Sequence, residues 1–308
     1  MRGEFASVSV VGLGYIGLPT AATLASVGVT VKGVDISSRV VDELNEGRAH
    51  FSEPDLDGLV QSAVGSGRLT AFTESQPADA FIIAVPTPMM ADKSPDMRAV
   101  EAAAHGVAAV LKPGDLVILE STSPLGATDT IAGIIRAERP DLVEEGGGLA
   151  IALAYCPERI LPGKMVTELV ANDRVVGGVT RACAERAREL YRLFVRGEIF
   201  LTDAATAELV KLMENAYRDV NIAFANEIAN ICEANHIDPW EAIGLANRHP
   251  RVNILSPGPG VGGHCIAIDP WFLITRNPGL AELMAAARKV NDGRPASVIA
   301  RIRAAAGE

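Results

Sequence analysis

The sequence predicts an α/β fold in which a Rossmann-like doubly wound parallel sheet precedes an all-helical domain with a long central helix. Three observations predict it. A β-branched run, FASVSVV at residues 5–11, leads straight into a glycine-rich turn and a helix-forming stretch. Apolar runs without polar alternation, AFII from residue 80 and LVIL from residue 116, recur between helical segments. Such runs suit parallel strands covered by helices on both faces. From about Thr202 the apolar period becomes helical and stays so for longer than an ordinary globular helix. A length of 308 residues suggests about two domains, here 1–202 for the sheet and 203–308 for the helices.

Composition narrows the classes of function. Hydrophobic residues make up 48% of the chain, enough for packed cores and unlike a disordered composition. A formal net charge of -10 argues against a nucleic-acid partner, because a phosphate backbone asks for clustered Lys and Arg. An anionic small ligand is still compatible, held by a few arginines or backbone N–H groups. Cys156, Cys183, Cys232 and Cys265 form no CxxC or Cys/His cluster, so they read as free thiols in a reducing, cytoplasmic setting. The apolar stretch at residues 5–34 is punctuated by glycines and has no basic lead. It reads as strand, turn and helix, not as a signal or membrane segment.

The first unit carries the strongest local signal. Gly12-Leu13-Gly14-Tyr15-Ile16-Gly17 lies between the first strand and a helical stretch that ends at Gly28. Gly12 permits the tight turn, Gly14 removes a side chain where pyrophosphate approaches, and Gly17 lets helix and strand lie close. The helix N-terminus offers its orphan N–H groups to phosphate. A GxGxxG alone is weak, but here the next strand, VTVKGVD, closes on Asp35. Asp35 can accept two ribose hydroxyls and would repel a 2′-phosphate, so NAD is expected rather than NADP. Arg39 argues the other way, and Asp35 as a plain helix cap is the competing reading. Tyr15, Ile16 and Arg39 join Gly12, Gly14, Gly17 and Asp35 as candidate cofactor contacts.

Further strands end in polar residues. AFIIAVPTP, residues 80–88, is stopped by two prolines, and a helix is expected from Met97 to Leu111 before Pro113-Gly114. LVILESTSP, residues 116–124, is the next strand. Ligands of open α/β sheets bind at the carboxyl ends of strands, which nominates Pro86, Thr87, Ser121 and Thr122. Ser123 reads as a helix cap. Segment 141–149, with EEGGG, reads as a flexible loop before a strand in IALAYCP.

In the helical third, Leu209, Ala216, Val220 and Ile228 recur at helical spacing. The length suits a bridge between domains or a dimer interface. Lys211 and Asn215 share one face, with Glu208 one turn before Lys211; spacing alone fits a functional cluster or an ordinary polar surface. After a short helix in DPWEAIGLAN comes the loop HPRVNILSPGPGVGGHCIAIDP. Its prolines and glycines impose an irregular backbone that presents His264 and Cys265, with Asp269 four residues on. A catalytic thiol and a small hydrophobe are both open for Cys265. No metal centre is expected, because His264, Cys265 and Asp269 lack zinc-ligand spacing.

With these residues in place, the sequence resembles the UDP-glucose/GDP-mannose dehydrogenase family along essentially its whole length. The motifs are GLGYIGLPTAA at 12–22, VPTP at 85–88, ESTSP at 120–124 and YCPERILPG at 155–163, then ELVKLMENAYRDVNIAFANE at 208–227 and NRHPRVNILSPGPGVGGHCIAIDPWF at 247–272. The resemblance implies an NAD-dependent four-electron oxidation of a nucleotide sugar at C6 for polysaccharide synthesis. On that pattern Cys265 captures the aldehyde as a thiohemiacetal that becomes a thioester. Lys211 is the cation for the oxyanion and Asn215 a second donor. Glu158 activates the hydrolytic water, and Thr122 and Asp269 position waters. A nearby cation is expected to lower the Cys265 thiol.

Arg159 stands where glucose-type members carry an apolar residue, which points to a UDP-N-acetylhexosamine. Lys211, Asn215 and Gly262 join Arg159 as substrate contacts. Arg251 matches a family arginine that reaches the partner's active site, which implies a homodimer. The resemblance also implies a C-terminal domain for the uridine diphosphate, and this sequence ends near where it would begin. NAD binding is therefore expected to survive while affinity for the nucleotide sugar falls. Two rivals compete: a β-hydroxyacid or 6-phosphogluconate type of dehydrogenase, which has no need of Cys265, and a protein that binds NAD and dimerises without turnover.

Overall fold

A computed structural model describes residues 5–263 and 265–307. The chain divides into two compact units, Met1–Thr87 with Asp96–Leu209, and Pro88–Pro95 with Val210–Glu308. The first runs β1 (Ser7–Val11), α1 (Gly17–Ser26), β2 (Thr30–Val34), α2 (Ser38–Asn45), α3 (Leu56–Gly65), β3 (Leu69–Phe72) and β4 (Ala80–Ile83). It continues through α4 (Arg98–Ala108), β5 (Leu116–Leu119), α5 (Ala127–Glu138), β6 (Ala152–Tyr155), α6 (Met165–Ala171), β7 (Arg174–Gly178), α7 (Arg181–Tyr191) and β8 (Ile199–Asp203). The eight strands form one sheet in the order β3-β2-β1-β4-β5-β6-β7-β8.

The order reverses between β1 and β4, which pair in parallel from Val8 with Ala80 to Val11 with Ile83. This is the switch point where a doubly wound sheet opens a crevice for a ligand. Side chains alternate across the sheet as strand geometry requires. Ala80, Ile82, Leu116 and Ile118 pack with α1, α3 and α7 on one face. Phe81, Ile83, Val117 and Leu119 pack with α4 and α5 on the other. Burial on both faces is why these strands read as unbroken apolar runs.

Three local expectations need correction. The sheet is parallel except at β6 and β7, which pair antiparallel. Segment 141–149 is not a loose loop: Val143 bridges Leu149, and the Glu144 N–H donates to the Gly148 carbonyl at 3.0 Å. Ser123 caps no helix. Its hydroxyl donates to the Ser121 carbonyl at 2.9 Å, and Gly126 occupies the position before α5.

The second unit is helical. It holds most of α8 (Ala204–Ala234), then α9 (Pro239–Ala246), α10 (Asp269–Arg276) and α11 (Glu282–Ala306). With 31 residues α8 is about 46 Å long. It starts two residues after Thr202, because Thr202 and Asp203 still pair in β8. A buried polar network joins α8 to α11. Arg288 donates to Asp219 at 2.6 Å, Asn291 donates to the Asp219 carboxylate at 2.8 Å, and Asn226 donates to Asn291 at 3.0 Å. Asn226 also accepts the Gly258 N–H at 2.9 Å, while the Arg294 Nε donates to the Gly258 carbonyl at 2.9 Å. Both backbone groups of Gly258 are thereby held, which anchors the loop leading to Cys265. Among the described residues no helix is long and apolar enough to cross a membrane.

Candidate functional site

The glycine-rich turn has the tight geometry its sequence implies. Gly12 has φ +91, and a Cβ there would meet the Ala84 carbonyl oxygen at 2.6 Å. A Cβ on Gly17 would lie 1.7 Å from the Gly12 carbonyl oxygen, so helix and turn touch directly. A Cβ on Gly14, by contrast, would meet nothing within 4 Å. A side chain there would fill open space at the start of α1, where N–H groups can meet a phosphate. Asp35 directly follows β2 and accepts the Leu13 N–H at 3.0 Å and the Ser37 N–H at 2.9 Å. It ties the turn to the second strand while keeping lone pairs for ribose hydroxyls. Tyr15 is exposed, with its ring tilted against that of Phe51 at 4.5 Å between centroids, and Ile16 is half-buried. Arg39 is exposed and pairs with Glu43 at 3.1 Å. These residues fit a dinucleotide: clear space at Gly14, an acceptor at the strand end, and an arginine already engaged by Glu43.

The ends of β4 and β5 are laced together. The Thr87 hydroxyl donates to the Thr122 carbonyl at 2.6 Å, and the Ser121 hydroxyl donates to the Val85 carbonyl at 2.7 Å. Ser121 is buried, Thr87 and Thr122 are half-buried, and Pro86 is exposed. The two strand ends therefore form one fixed rim beside the glycine turn.

Glu158 follows β6 on a turn of its own making. Its Oε1 accepts the N–H groups of Arg159 and Ile160 at 2.6 and 2.9 Å. Its Oε2 accepts from Arg174 at 2.9 Å. Arg174 also faces Glu120 at 3.4 Å, and Tyr191 donates to the same Glu120 oxygen at 2.9 Å. Burial pushes Glu120 up to about 7 even though Arg174 pulls it down. Burial likewise pushes Cys156 up to about 11, so it is an inert thiol. Arg159 is half-buried beside Glu158. Sequence reasoning missed Arg174, Glu120 and Tyr191; the available signal was an arginine opening an apolar strand.

In the second unit, Lys211 and Asn215 lie one turn apart on α8, both buried. Asn215 donates to Asp269 at 2.6 Å, where Asp269 opens α10. The Asp269 N–H in turn donates to the Cys265 carbonyl at 2.9 Å. Burial pushes the Asp269 carboxyl up to about 6, against the pull of Asn215 and Lys211. Cys265 is open to solvent, yet enough protein surrounds its sulfur that burial pushes the thiol up. The Asp269 carboxylate adds to this, while Lys211 and Arg218 pull it down without prevailing. The expected lowering by a cation is thus outweighed. Cys265, Lys211, Asn215 and Asp269 share one electrostatic neighbourhood. His264 lies outside the described residues.

Glu208 separates from that group. Its carboxylate accepts the N–H groups of Gly126 and Thr128 at 2.7 and 2.8 Å and the Thr128 hydroxyl at 2.7 Å. It caps α5, where a negative charge is favoured. Gly262 is exposed in the loop before Cys265, and Arg251 is exposed after α9. Among the described residues no group of three or more His, Cys, Asp or Glu is arranged to hold a metal ion.

Comparison with known proteins gives consistent matches. The UDP-glucose/GDP-mannose dehydrogenase family matches through its NAD binding domain over residues 6–195 and its central domain over residues 205–293. The chain is 57% identical over 306 residues to an NDP-N-acetyl-D-galactosaminuronic acid dehydrogenase of Ralstonia nicotianae, covering 98% of this chain and 72% of that protein. It is 56% identical over 308 residues to a UDP-N-acetyl-D-mannosamine dehydrogenase of Yersinia pestis, covering 99% and 73%. The solved structure of a UDP-D-ManNAc dehydrogenase from Pyrococcus horikoshii matches with a TM-score of 0.90 and 43% identity, covering 96% of this chain and 70% of that one.

Proposed function

The chain belongs to the UDP-glucose/GDP-mannose dehydrogenase family and is an NAD-dependent nucleotide-sugar dehydrogenase; from that membership we propose that it oxidises UDP-N-acetyl-D-mannosamine at C6 to UDP-N-acetyl-D-mannosaminuronate. NAD, when bound, supplies a hydride acceptor, which this four-electron reaction needs twice per sugar. We assign its binding to residues 1–202, through Gly12, Gly14, Gly17 and Asp35 with the rim from Pro86 to Thr87 and from Ser121 to Thr122.

Cys265 adds to the C6 aldehyde to give a thiohemiacetal, and its oxidised form is a thioester. Lys211 and Asn215 stabilise the oxyanion, Asp269 orders them, and Glu158 takes the proton of the water that cleaves the thioester. The observation that carries this reading is the neighbourhood of Cys265, Lys211, Asn215 and Asp269, held together by α8 and the start of α10. Arg159 contacts the N-acetyl group or a sugar hydroxyl, and Thr122 positions a water.

Residues 203–308 form the interface of a cytoplasmic homodimer in this reading, with Arg251 reaching the partner. An apolar stripe along α8 supports it: Met213, Tyr217, Phe224 and Ile231 are 47%, 71%, 49% and 51% exposed. Their spacing of four and seven puts them on one helix face, where a second helix can bury them.

The galacto sugar, which differs from the manno one at both C2 and C4, is a second candidate substrate, favoured by the identity to the Ralstonia nicotianae protein. The test counts NADH formed per sugar consumed with the UDP-linked N-acetyl manno-, galacto- and glucosamines, and weighs the intact protein during turnover. Two NADH and an acyl mass on Cys265 are expected, with the manno sugar preferred. One NADH per sugar, or turnover that survives Cys265→Ala, defeats the thioester route.

A further inference from the structure

We propose that Arg174 is a positioning residue for thioester hydrolysis: its guanidinium fixes the Glu158 carboxylate, and Glu120, Tyr191 and Phe194 fix the guanidinium. The inference rests on the hydrolytic role given to Glu158 above. Arg174 opens β7 and is only 4% exposed. One arm of its fork holds Glu158 at 2.9 Å and the other faces Glu120 at 3.4 Å. Its Cζ lies 4.8 Å from the Tyr191 ring centroid and 5.8 Å from that of Phe194. Tyr191 closes the ring of contacts by donating to Glu120.

A buried guanidinium between two buried carboxylates is a poor device for stability, since an apolar cluster of equal volume is often no worse. What the arrangement supplies is orientation. Glu158 sits on a turn, and its carboxylate is gripped from below by Arg174 and from its own turn by two backbone N–H groups. A planar fork can span two carboxylates at fixed angles, which a lysine's point charge cannot.

In the step concerned, a water oxygen bonds to the acyl carbon as its proton passes to Glu158. The C–S bond then breaks, the electron pair stays on the Cys265 sulfur, and the sugar leaves as its acid. The thiolate regains a proton from Glu158 or from solvent. No oxidant is consumed.

The test mixes the 308-residue chain rapidly with NAD and UDP-N-acetyl-D-mannosamine and follows NADH and the mass of Cys265 together. Arg174→Lys keeps a buried cation. It should give a normal burst of two NADH per chain, then a steady rate about 10- to 100-fold below wild type, with thioester accumulating. The KM for NAD should not change. Glu158→Gln should behave alike, and the double variant should be no slower than Glu158→Gln alone. Tyr191→Phe keeps the ring beneath the guanidinium and should show the same signature at about threefold. If Glu158→Gln accumulates thioester but neither Arg174→Lys nor Tyr191→Phe does, the positioning role is wrong while the role of Glu158 stands. Loss of the burst together with turnover in Arg174→Lys would equally overturn it. Should Glu158→Gln hydrolyse at the wild-type rate, the assignment of Glu158 falls, and this inference with it.

Discussion

Cys265, the nucleophile of the proposed reaction, has its thiol pushed up by its surroundings. Burial and the Asp269 carboxylate raise its thiol, and the cations Lys211 and Arg218 do not compensate. Asp269 has its own titration, pushed up to about 6, so its charge acts on the sulfur chiefly above that pH. Removing the charge should therefore lower the thiol. At pH 8, Asp269→Asn should alkylate with iodoacetamide about three to ten times faster at Cys265 than wild type. Near pH 5, where Asp269 is already neutral, the two rates should converge. Peptide mass mapping reads the rate at each cysteine, with half-exposed Cys183 as the reference. Slower alkylation of the variant at pH 8 would mean that Asp269 activates the thiol instead of restraining it.

At the scale of elements, the cap on α5 shows how a helix start is completed from far along the chain. Glu208 supplies three acceptor contacts to Gly126 and Thr128, 82 and 80 residues earlier. Glu208→Ala leaves those buried donors without an acceptor and should cost about 2–4 kcal/mol, while Glu208→Gln, which keeps one carbonyl oxygen, should cost roughly half as much. Urea unfolding of both variants checks the order, and an Ala variant as stable as the Gln variant would contradict the cap. The same residue marks where sequence reading stops. β1, the glycine turn, α1 and β2 were legible because the contacts that mark them, Gly17 against Gly12 and the Leu13 N–H to Asp35, lie within one supersecondary unit. The face shared by Lys211 and Asn215 was legible because helix periodicity is local. Glu208 sits on the same spacing and was grouped with them, since nothing local tells a cap partner from a site residue. Arg174 escaped for the same reason: Glu120 and Tyr191 reach it through the tertiary fold, and the antiparallel turn-back of β6 into β7 leaves no mark in the apolar pattern.

Across the whole molecule, buried acids set an unusual direction for stability against pH. Asp269 and Glu120 titrate at about 6 and about 7 in the fold, above the ordinary 3.8 and 4.5. An acid whose folded value is raised binds its proton more tightly folded than unfolded. The stability it contributes is complete below its unfolded value and is lost as pH rises through its folded value. Between pH 4 and pH 8 these two groups together should withdraw several kcal/mol, on the order of 3 each. His50 works against them, because burial lowers its pKa: its contribution grows as pH rises through the lowered folded value towards the unfolded 6.5 and is complete above it. The lowered exposed acids, Asp96 at about 2 among them, act only in more acid solution. The expected outcome is a thermal midpoint that falls from pH 5 to pH 8. Glu120→Gln isolates the larger contributor, since it keeps an acceptor for Tyr191 and Arg174 but has no proton to lose. Its midpoint, compared with wild type at each pH by calorimetry, should improve steadily between pH 5 and pH 7 and level off above pH 7. A difference between the two proteins that is flat across that window would show that Glu120 is ionised throughout, and that Arg174 neutralises it fully despite being shared with Glu158.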